Sequence, residues 1–359
     1  MSKVRVLVVE DSITVRKHLM AVLNADPAIE VIAEAEDGKR AIELCETLRP
    51  DVVTLDMMLP IMSGLSATEY IMAYCPTPIM IVSSSTNRGE LYKTYDALAA
   101  GAVEAMEKPG GDQYDRHWEH KFTSTVKLLA KIKVITHLRG RMRARHDYGP
   151  PAGVAKRTGT ASGARQFRCV ALGASTGGPA ALLQILHDLP ADFPLPILLV
   201  IHLSPLLGGG FADWLGSQSS LPVAFAVNGE PLPAPGAPRV VMALPDRHLL
   251  VRDGRLWLTN DPERFSCRPS VDVLFQSLAR ELGNQVIAGL LTGMGRDGAE
   301  GLLAIRQAGG LTLAQDEASC VVFGMPREAI QLGAAHRVIA LKDFPANLVE
   351  LAGTTVGSR

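Results

Sequence analysis

Short apolar runs alternate with amphipathic stretches along most of this 359-residue chain, and many of the runs end on a polar or ionisable residue. In the first third the runs are Val4 to Val9, Val31 to Ala33, Val52 to Leu55, Ile79 to Val82 and a weaker one at Ala102 to Met106. Between them lie helix-patterned segments such as Val15 to Leu23, Ala41 to Leu48 and Leu91 to Ala99. The same alternation returns after Phe167, with runs at Cys169 to Leu172, Ile197 to Ile201, Val223 to Val227, Arg239 to Ala243, Val286 to Leu291 and Leu311 to Ala314. Strand–helix alternation of this kind predicts α/β domains built on doubly wound parallel sheets. Two such domains suit a chain about twice the length of one compact domain. In the second, Leu249 to Leu258 reads as a small antiparallel hairpin turning at Asp253-Gly254.

The segment between the two series differs. From His117 to Leu138 residues recur at Phe122, Val126, Leu129, Ile132 (or Lys133) and Ile135, the three- and four-residue spacing of a helix. Residues 139–165 are rich in Arg, Gly, Pro and Ala and nearly free of large apolar side chains, so they cannot bury enough surface to offset their ordering entropy. They read as a flexible, solvated linker. The expected organisation is therefore a domain over 1–125, a helix and linker over 126–166, and a second domain over 167–352.

Composition excludes several function classes. Lys and Arg total 36 against 37 Asp and Glu, so there is no basic excess of the kind a dedicated nucleic-acid binder carries. No apolar run reaches the ~18 residues a membrane span needs. The segment Met1 to Glu10 enters a strand pattern directly and does not read as a signal peptide. Cys45, Cys75, Cys169, Cys267 and Cys320 are scattered, odd in number and without a C-x-x-C pair, and are read as reduced core thiols of a cytoplasmic protein.

In a doubly wound sheet chemistry gathers at the carboxyl ends of the strands. There the first domain places Glu10, Asp11, Asp56, Ser83, Ser84 and Lys108. Several carboxylates in one place repel one another unless a hard cation such as Mg²⁺ sits among them. A carboxylate beside Mg²⁺ can attack a phosphoryl group, with a lysine and a hydroxyl on the phosphoryl oxygens. The strings Val9-Glu10-Asp11-Ser12, Leu55-Asp56-Met57-Met58-Leu59-Pro60 and Glu107-Lys108-Pro109 resemble the receiver domains of two-component response regulators. The resemblance implies a CheY-like fold in which Asp56 is the phosphoacceptor and a histidine kinase the donor. It also implies that Glu10, Asp11, Asp56 and the Met58 carbonyl hold Mg²⁺, and that Ser83 and Lys108 form the switch. Receivers commonly carry an aromatic residue shortly before the lysine-proline pair; here Ala105 stands there, so readout by a swinging ring is not expected.

In the second domain Gly173-Ala174-Ser175-Thr176-Gly177-Gly178-Pro179 follows the first strand and opens a helix. A glycine-rich strand-to-helix turn can cradle a phosphate, and G-x-S-x-G can also be a nucleophile elbow. The turn itself is neither a G-x-G-x-x-G nor a P-loop. His202 leaves the solid run Ile197 to Ile201, and Asp297 lies in a glycine-rich loop after Val286 to Leu291. Both are expected on the same sheet edge as Ser175, where a base and an orienting carboxylate would activate a serine. His336 enters a strand and reads as structural, whereas His248 could line the pocket.

These segments, with Arg268-Pro269-Ser270-Val271-Asp272, Leu291-Thr292-Gly293-Met294-Gly295-Arg296-Asp297-Gly298, Ala314-Gln315-Asp316-Glu317-Ala318 and Phe323-Gly324-Met325-Pro326-Arg327-Glu328-Ala329, resemble the chemotaxis protein-glutamate methylesterases, the CheB family. The resemblance implies a Rossmann-like esterase domain with Ser175 as nucleophile, His202 as base then acid, and Asp297 as the carboxylate holding the imidazole. Amides of Met294 and Thr176 would form the oxyanion hole; Gln315, Asp316 and the Gly324-Met325-Pro326 turn would shape the site, without a cofactor. The implied substrates are γ-glutamyl methyl esters, and glutamines, on the cytoplasmic helices of methyl-accepting chemoreceptors, with Arg268 a contact to an acidic receptor helix. The expected protein is a cytoplasmic monomer with no nucleic-acid partner and no membrane insertion. Two alternatives are an esterase or amidase acting on another protein and a response regulator with a non-catalytic binding output.

Overall fold

The computed structural model describes residues 3–84, 88–109, 115–132, 134 and 167–353. Five parallel strands form the first sheet: β1 (Val4–Val9), β2 (Ile29–Ala35), β3 (Val52–Leu55), β4 (Ile79–Ser83) and β5 (Glu104–Glu107), in the order β2-β1-β3-β4-β5. β3 and β4 are buried at every position, as expected of central strands covered on both faces. The helices between them start on side-chain caps: Ser12 Oγ accepts from the Val15 amide, Asp37 from Arg40 and Ser63 from Ser66. After β5 the helix Arg116–Leu129 begins on Asp115 and buries Phe122, Val126 and Leu129 against the sheet. It ends nine residues before the expected Leu138; that remainder and the linker over 139–165 lie outside the described residues.

The second sheet has seven parallel strands: β6 (Cys169–Ala174), β7 (Ile197–Ile201), β8 (Val223–Phe225), β9 (Val240–Met242), β12 (Val286–Leu290), β13 (Leu311–Gln315) and β14 (Arg337–Ile339), ordered β14-β13-β12-β6-β7-β9-β8. β6, β7 and β12 lie side by side at its centre and are wholly buried. The antiparallel hairpin β10 (His248–Arg252) and β11 (Arg255–Thr259) turns at Asp253 and Gly254. Both turn residues have positive φ, the mark of a type I′ turn whose twist suits a two-residue hairpin. No helix among the described residues is long and apolar enough to cross a membrane.

The two sheets are docked. Helix Arg88–Ala99 of the first packs against helix Phe211–Ser217 of the second, with Tyr95 fully buried between them and edge-on to Phe211 at 5.3 Å between ring centroids. The Tyr95 hydroxyl donates to the Leu207 carbonyl, Trp214 Nε1 donates to Asp96 at 2.9 Å, and Arg88 pairs with Asp213. Two glutamates of β5 complete the contact. Thr176 Oγ1 donates to Glu104 Oε2 at 2.8 Å, and Ser204 Oγ donates to Glu107 Oε1 at 3.0 Å.

Candidate active site

At the carboxyl edge of the first sheet, β1 leads into Glu10 and Asp11, β3 into Asp56, β4 ends on Ser83 and β5 leads into Lys108. Lys108 Nζ lies 2.9 Å from Asp56 Oδ2 and 2.8 Å from Glu10 Oε2. One carboxylate oxygen from each of Glu10, Asp11 and Asp56 falls within 4.8 Å of the others, with Glu10 and Asp56 buried and Asp11 exposed. Burial pushes the Glu10 carboxyl up; the Lys108 hydrogen bond resists this and the Asp56 charge adds to it. Burial also works against the Lys108 charge, yet Glu10 and Asp56 hold its ammonium above the usual range. Ser83 Oγ is buried and has no hydrogen-bond partner among the described residues. An all-oxygen, acidic donor set suits a hard divalent cation, and an unused hydroxyl and an ammonium on the same edge suit a phosphoryl group. The Met58 carbonyl belongs to the loop that follows Asp56, where the Met58 side chain is exposed and its Sδ lies 3.6 Å from Lys93 Nζ.

In the second sheet Ala174 of β6 pairs with Ile201 of β7, so Ser175 and His202 leave adjacent strands at the same level, where strands stand about 4.8 Å apart. Gly173 pairs with Leu290 of β12 on the other side, and the Ser175 amide donates to the Thr292 carbonyl at 3.0 Å. The turn after Ser175 requires glycine at 177, where φ is +77° and an added Cβ would stand 2.6 Å from Val321 Cβ. Gly293 serves a different need: a Cβ there would lie 2.7 Å from Ser175 Cβ, so only a bare backbone can pass this close to the serine. The loop containing Met294 and Asp297 is pinned from beneath. Gln315 Oε1 accepts from the Thr292 amide at 2.8 Å, and the Gly293 carbonyl accepts from the amides of Gly324 and Met325 at 3.1 and 2.9 Å.

Asp297 is buried and accepts four hydrogen bonds: His202 Nε2 at 2.8 Å, Ser270 Oγ at 2.7 Å, and the amides of Val271 at 2.7 Å and Asp272 at 3.1 Å. The two amides open helix Val271–Leu282, whose positive end favours an anion. Burial pushes the Asp297 carboxyl up, but His202, with Ser270 and Val271, outweighs it and holds the group below the ordinary range. Burial pulls the His202 imidazole down, while Asp297 and then Cys267 overcome this and raise it from 6.5 to about 9. With Nε2 committed to Asp297, Nδ1 is the ring nitrogen left to exchange a proton; it lies 3.6 Å from Cys267 Sγ. Ser175 Oγ makes no hydrogen bond among the described residues.

Several expectations change here. Cys267 and Cys320 are only partly buried, unlike Cys45, Cys75 and Cys169, and Cys267 touches His202 rather than packing in the core. His248 does not line the pocket: it is fully buried, its Nδ1 accepting from the Ser270 amide and its Nε2 facing the Pro262 carbonyl, so it steadies the residue that caps Asp297. His336 bonds Thr312, a structural place. Arg268 is engaged by Asp246 at 2.7 Å and by the Asp261 carbonyl at 3.2 Å. Asp316 caps the turn at Ser319. Sequence reading missed Glu104, whose carboxylate reaches Thr176 from the other domain.

Residues 170–348 match the CheB methylesterase family and residues 6–114 the response regulator receiver domain family. The chain is 44% identical to a protein-glutamate methylesterase/protein-glutamine glutaminase of Nitrosospira multiformis, over 97% of each chain. It is 42% identical to one of Anaeromyxobacter dehalogenans, again over 97% of each. Among solved structures, the Thermotoga maritima CheB methylesterase catalytic domain is 37% identical, covering 52% of this chain and 99% of that one with a TM-score of 0.49.

Proposed function

Because the chain belongs to the CheB methylesterase family, with a response regulator receiver domain ahead of the esterase domain, we propose that it is a phosphorylation-controlled protein-glutamate methylesterase. Its substrates are γ-methyl esters of glutamate on the cytoplasmic helices of methyl-accepting chemoreceptors, and glutamines there are deamidated by the same route. The observation that carries this reading is the His202–Asp297 pair at 2.8 Å, on the sheet edge where Ser175 emerges from the neighbouring strand.

In the proposed mechanism Ser175 Oγ attacks the ester carbonyl as His202 takes its proton, and Asp297 holds the ring and stabilises the imidazolium. The developing oxyanion meets the backbone amides of Met294 and Thr176. Methanol leaves with the proton from His202, and water, deprotonated by the same ring, releases glutamate and restores the serine. A glutamine substrate differs only in losing ammonia. Four donors already on Asp297 keep it ionised through this cycle, so it orients without accepting the proton.

Control rests on the receiver. Asp56 takes the phosphoryl group from a histidine kinase, with Ser83 and Lys108 on the phosphoryl oxygens. Glu10, Asp11, Asp56 and the Met58 carbonyl would hold Mg²⁺, which neutralises charge on the transferred group. Docked through Tyr95, Glu104 and Glu107, the receiver stands over Thr176 and Ser204 and screens the esterase site. Phosphorylation shifts the population toward an undocked form. The protein is read as a cytoplasmic monomer made of a receiver over 1–125, a linker over 126–166 and an esterase domain over 167–352.

The test is methanol release from radiolabelled methylated receptor membranes, with and without a small phosphodonor. Ser175→Ala should lower turnover by about 10⁴- to 10⁶-fold with the fold intact. Near-wild-type release from that variant removes the acyl-serine mechanism.

A further inference from the structure

Screening the esterase site needs only bulk, yet the group the receiver sends to Thr176 is a carboxylate. Burying a carboxylate is costly unless it is well partnered, and an apolar side chain would close the gap at lower cost. Glu104 Oε2 accepts from Thr176 Oγ1 at 2.8 Å, and Oε1 accepts from its neighbour's amide, Ala105, at 3.2 Å. Burial pushes the Glu104 carboxyl up, and Thr176 and then the Ala105 amide resist it, with Lys121 and His202 adding weaker pulls.

The recipient is equally specific. Thr176 directly follows the nucleophile, and its hydroxyl has no other partner among the described residues. The Thr292 hydroxyl beside it is spent on backbone carbonyls of Thr176 and Val322. Glu104 and His202 also both line one cavity of about 270 Å³. The side chain lodged there is of the same type that ester hydrolysis leaves behind: a glutamate, ending in a γ-carboxylate.

We propose that Glu104 is a tethered analogue of the product glutamate, and that the Thr176 hydroxyl it engages is the donor by which the esterase site recognises the γ-carboxyl group of its substrate. This rests on the methylesterase reading above and names how that site is both filled and read. Tethering explains why a weak product contact suffices. A group held on the same chain acts at an effective concentration in the millimolar range, enough to occupy a site whose affinity for free product is equally modest. Thr176 is then a positioning residue for the reaction, and Glu104 competes with substrate for it.

The full-length chain tests both halves by methanol release from methylated receptor membranes. Without phosphodonor, Glu104→Ala should raise kcat/KM by about tenfold, the worth of one hydrogen bond to a charged group. Glu104→Asp should do the same, because its carboxylate is one methylene too short to reach Thr176 Oγ1. Asp96→Asn, which weakens the docking contact to Trp214, should raise the rate less. With phosphodonor present, Thr176→Val should raise KM by about tenfold with kcat nearly unchanged, and Thr176→Ser should restore it. A peptide carrying free glutamate should inhibit Glu104→Ala competitively.

The proposal is overturned if Glu104→Ala keeps the wild-type basal rate, if Glu104→Asp stays as inhibited as wild type, or if Asp96→Asn releases as much activity as Glu104→Ala. A normal KM in Thr176→Val overturns the recognition half. All of these presuppose that phosphorylated wild type releases methanol through Ser175; if it does not, the methylesterase reading itself has failed.

Discussion

Asp297→Asn separates what the carboxylate does for charge from what it does for shape. The wild-type rise of His202 from 6.5 to about 9 corresponds to about 3 kcal/mol at 1.36 kcal/mol per pH unit. Asp297 is the largest source of that rise, Cys267 adds to it and burial opposes it, so the asparagine variant should titrate well below 9. The sign of the stability effect follows. His202 is raised in the folded state, so its contribution is complete below pH 6.5 and disappears as pH climbs through about 9. Asp297 is lowered, so its contribution is present above its ordinary 3.8 and is lost as pH falls. The stability gap between wild type and variant should therefore be widest between about pH 4 and 6.5 and narrow as pH climbs through about 9, leaving the part that Asp297 owes to Ser270 and the helix amides. Turnover should fall by about 10⁴-fold, because an amide can present its NH₂ to Nε2 and favour the wrong tautomer. The assay is NMR titration of Cε1-labelled histidines in the full chain, His202 assigned by substitution, alongside melting temperatures across the same pH range. A His202 midpoint that stays near 9 in the variant, or that lies near 6.5 in wild type, refutes the charge argument.

Removing residues 1–140 should raise basal methanol release from the remaining domain; an unchanged rate would show that the docked receiver does not screen the site. Gly177→Ala forces a left-handed φ of +77° on alanine and sets a Cβ 2.6 Å from Val321, at a cost of about 1–3 kcal/mol. It should lower the melting temperature and turnover together; activity unchanged at full stability would mean the turn tolerates a side chain. Gln315→Leu removes the acceptor of the buried Thr292 amide, costing about 1–3 kcal/mol. Its kcat should drop as the Met294 loop loosens, while a variant with normal kcat would show that the loop is held without Gln315.

The parallel-sheet architecture was legible because its determinants are local. Strands buried on both faces are written as solid apolar runs, and β3, β4, β6, β7 and β12 all follow that rule. Strand ends then name the candidate residues without knowledge of the fold, which is how Asp56, Lys108, Ser175 and His202 could be picked out. The hairpin was legible for a similar reason, since Asp253-Gly254 suits the two positive φ values its turn needs. What escaped is whatever depends on contacts between distant segments. Cys267 meets His202 across 65 positions and Glu104 meets Thr176 across 72. Glu104 looks like an ordinary polar residue in a weak strand until a second domain is set against it. His248 misled for the converse reason: its buried role behind Ser270 arises from the hairpin folding back on helix Val271–Leu282, which no local spacing encodes.

The absence of an aromatic ring at 105 bears on how the two sites communicate. Ala105 and His202 line the same cavity, and no ring stands at 105 to fill it. The covalent path is short instead. Lys108 holds Asp56 and Glu10, its amide donates to the Ser83 carbonyl at 2.9 Å, and the preceding residue, Glu107, accepts from Ser204. Three residues further back Glu104 accepts from Thr176. A phosphoryl group on Asp56 would bring nearly two negative charges to Lys108 and Ser83, one residue from Glu107 and four from Glu104 along the same strand. Releasing two such hydrogen bonds takes about 1–3 kcal/mol each, a cost that a new charge-assisted pair at Lys108 offsets in part. Under the proposed control, then, β5 itself is the transmitting element: its far end grips the phosphorylation site and its glutamates grip the esterase, so a displacement of a single strand end weakens the hold on Thr176.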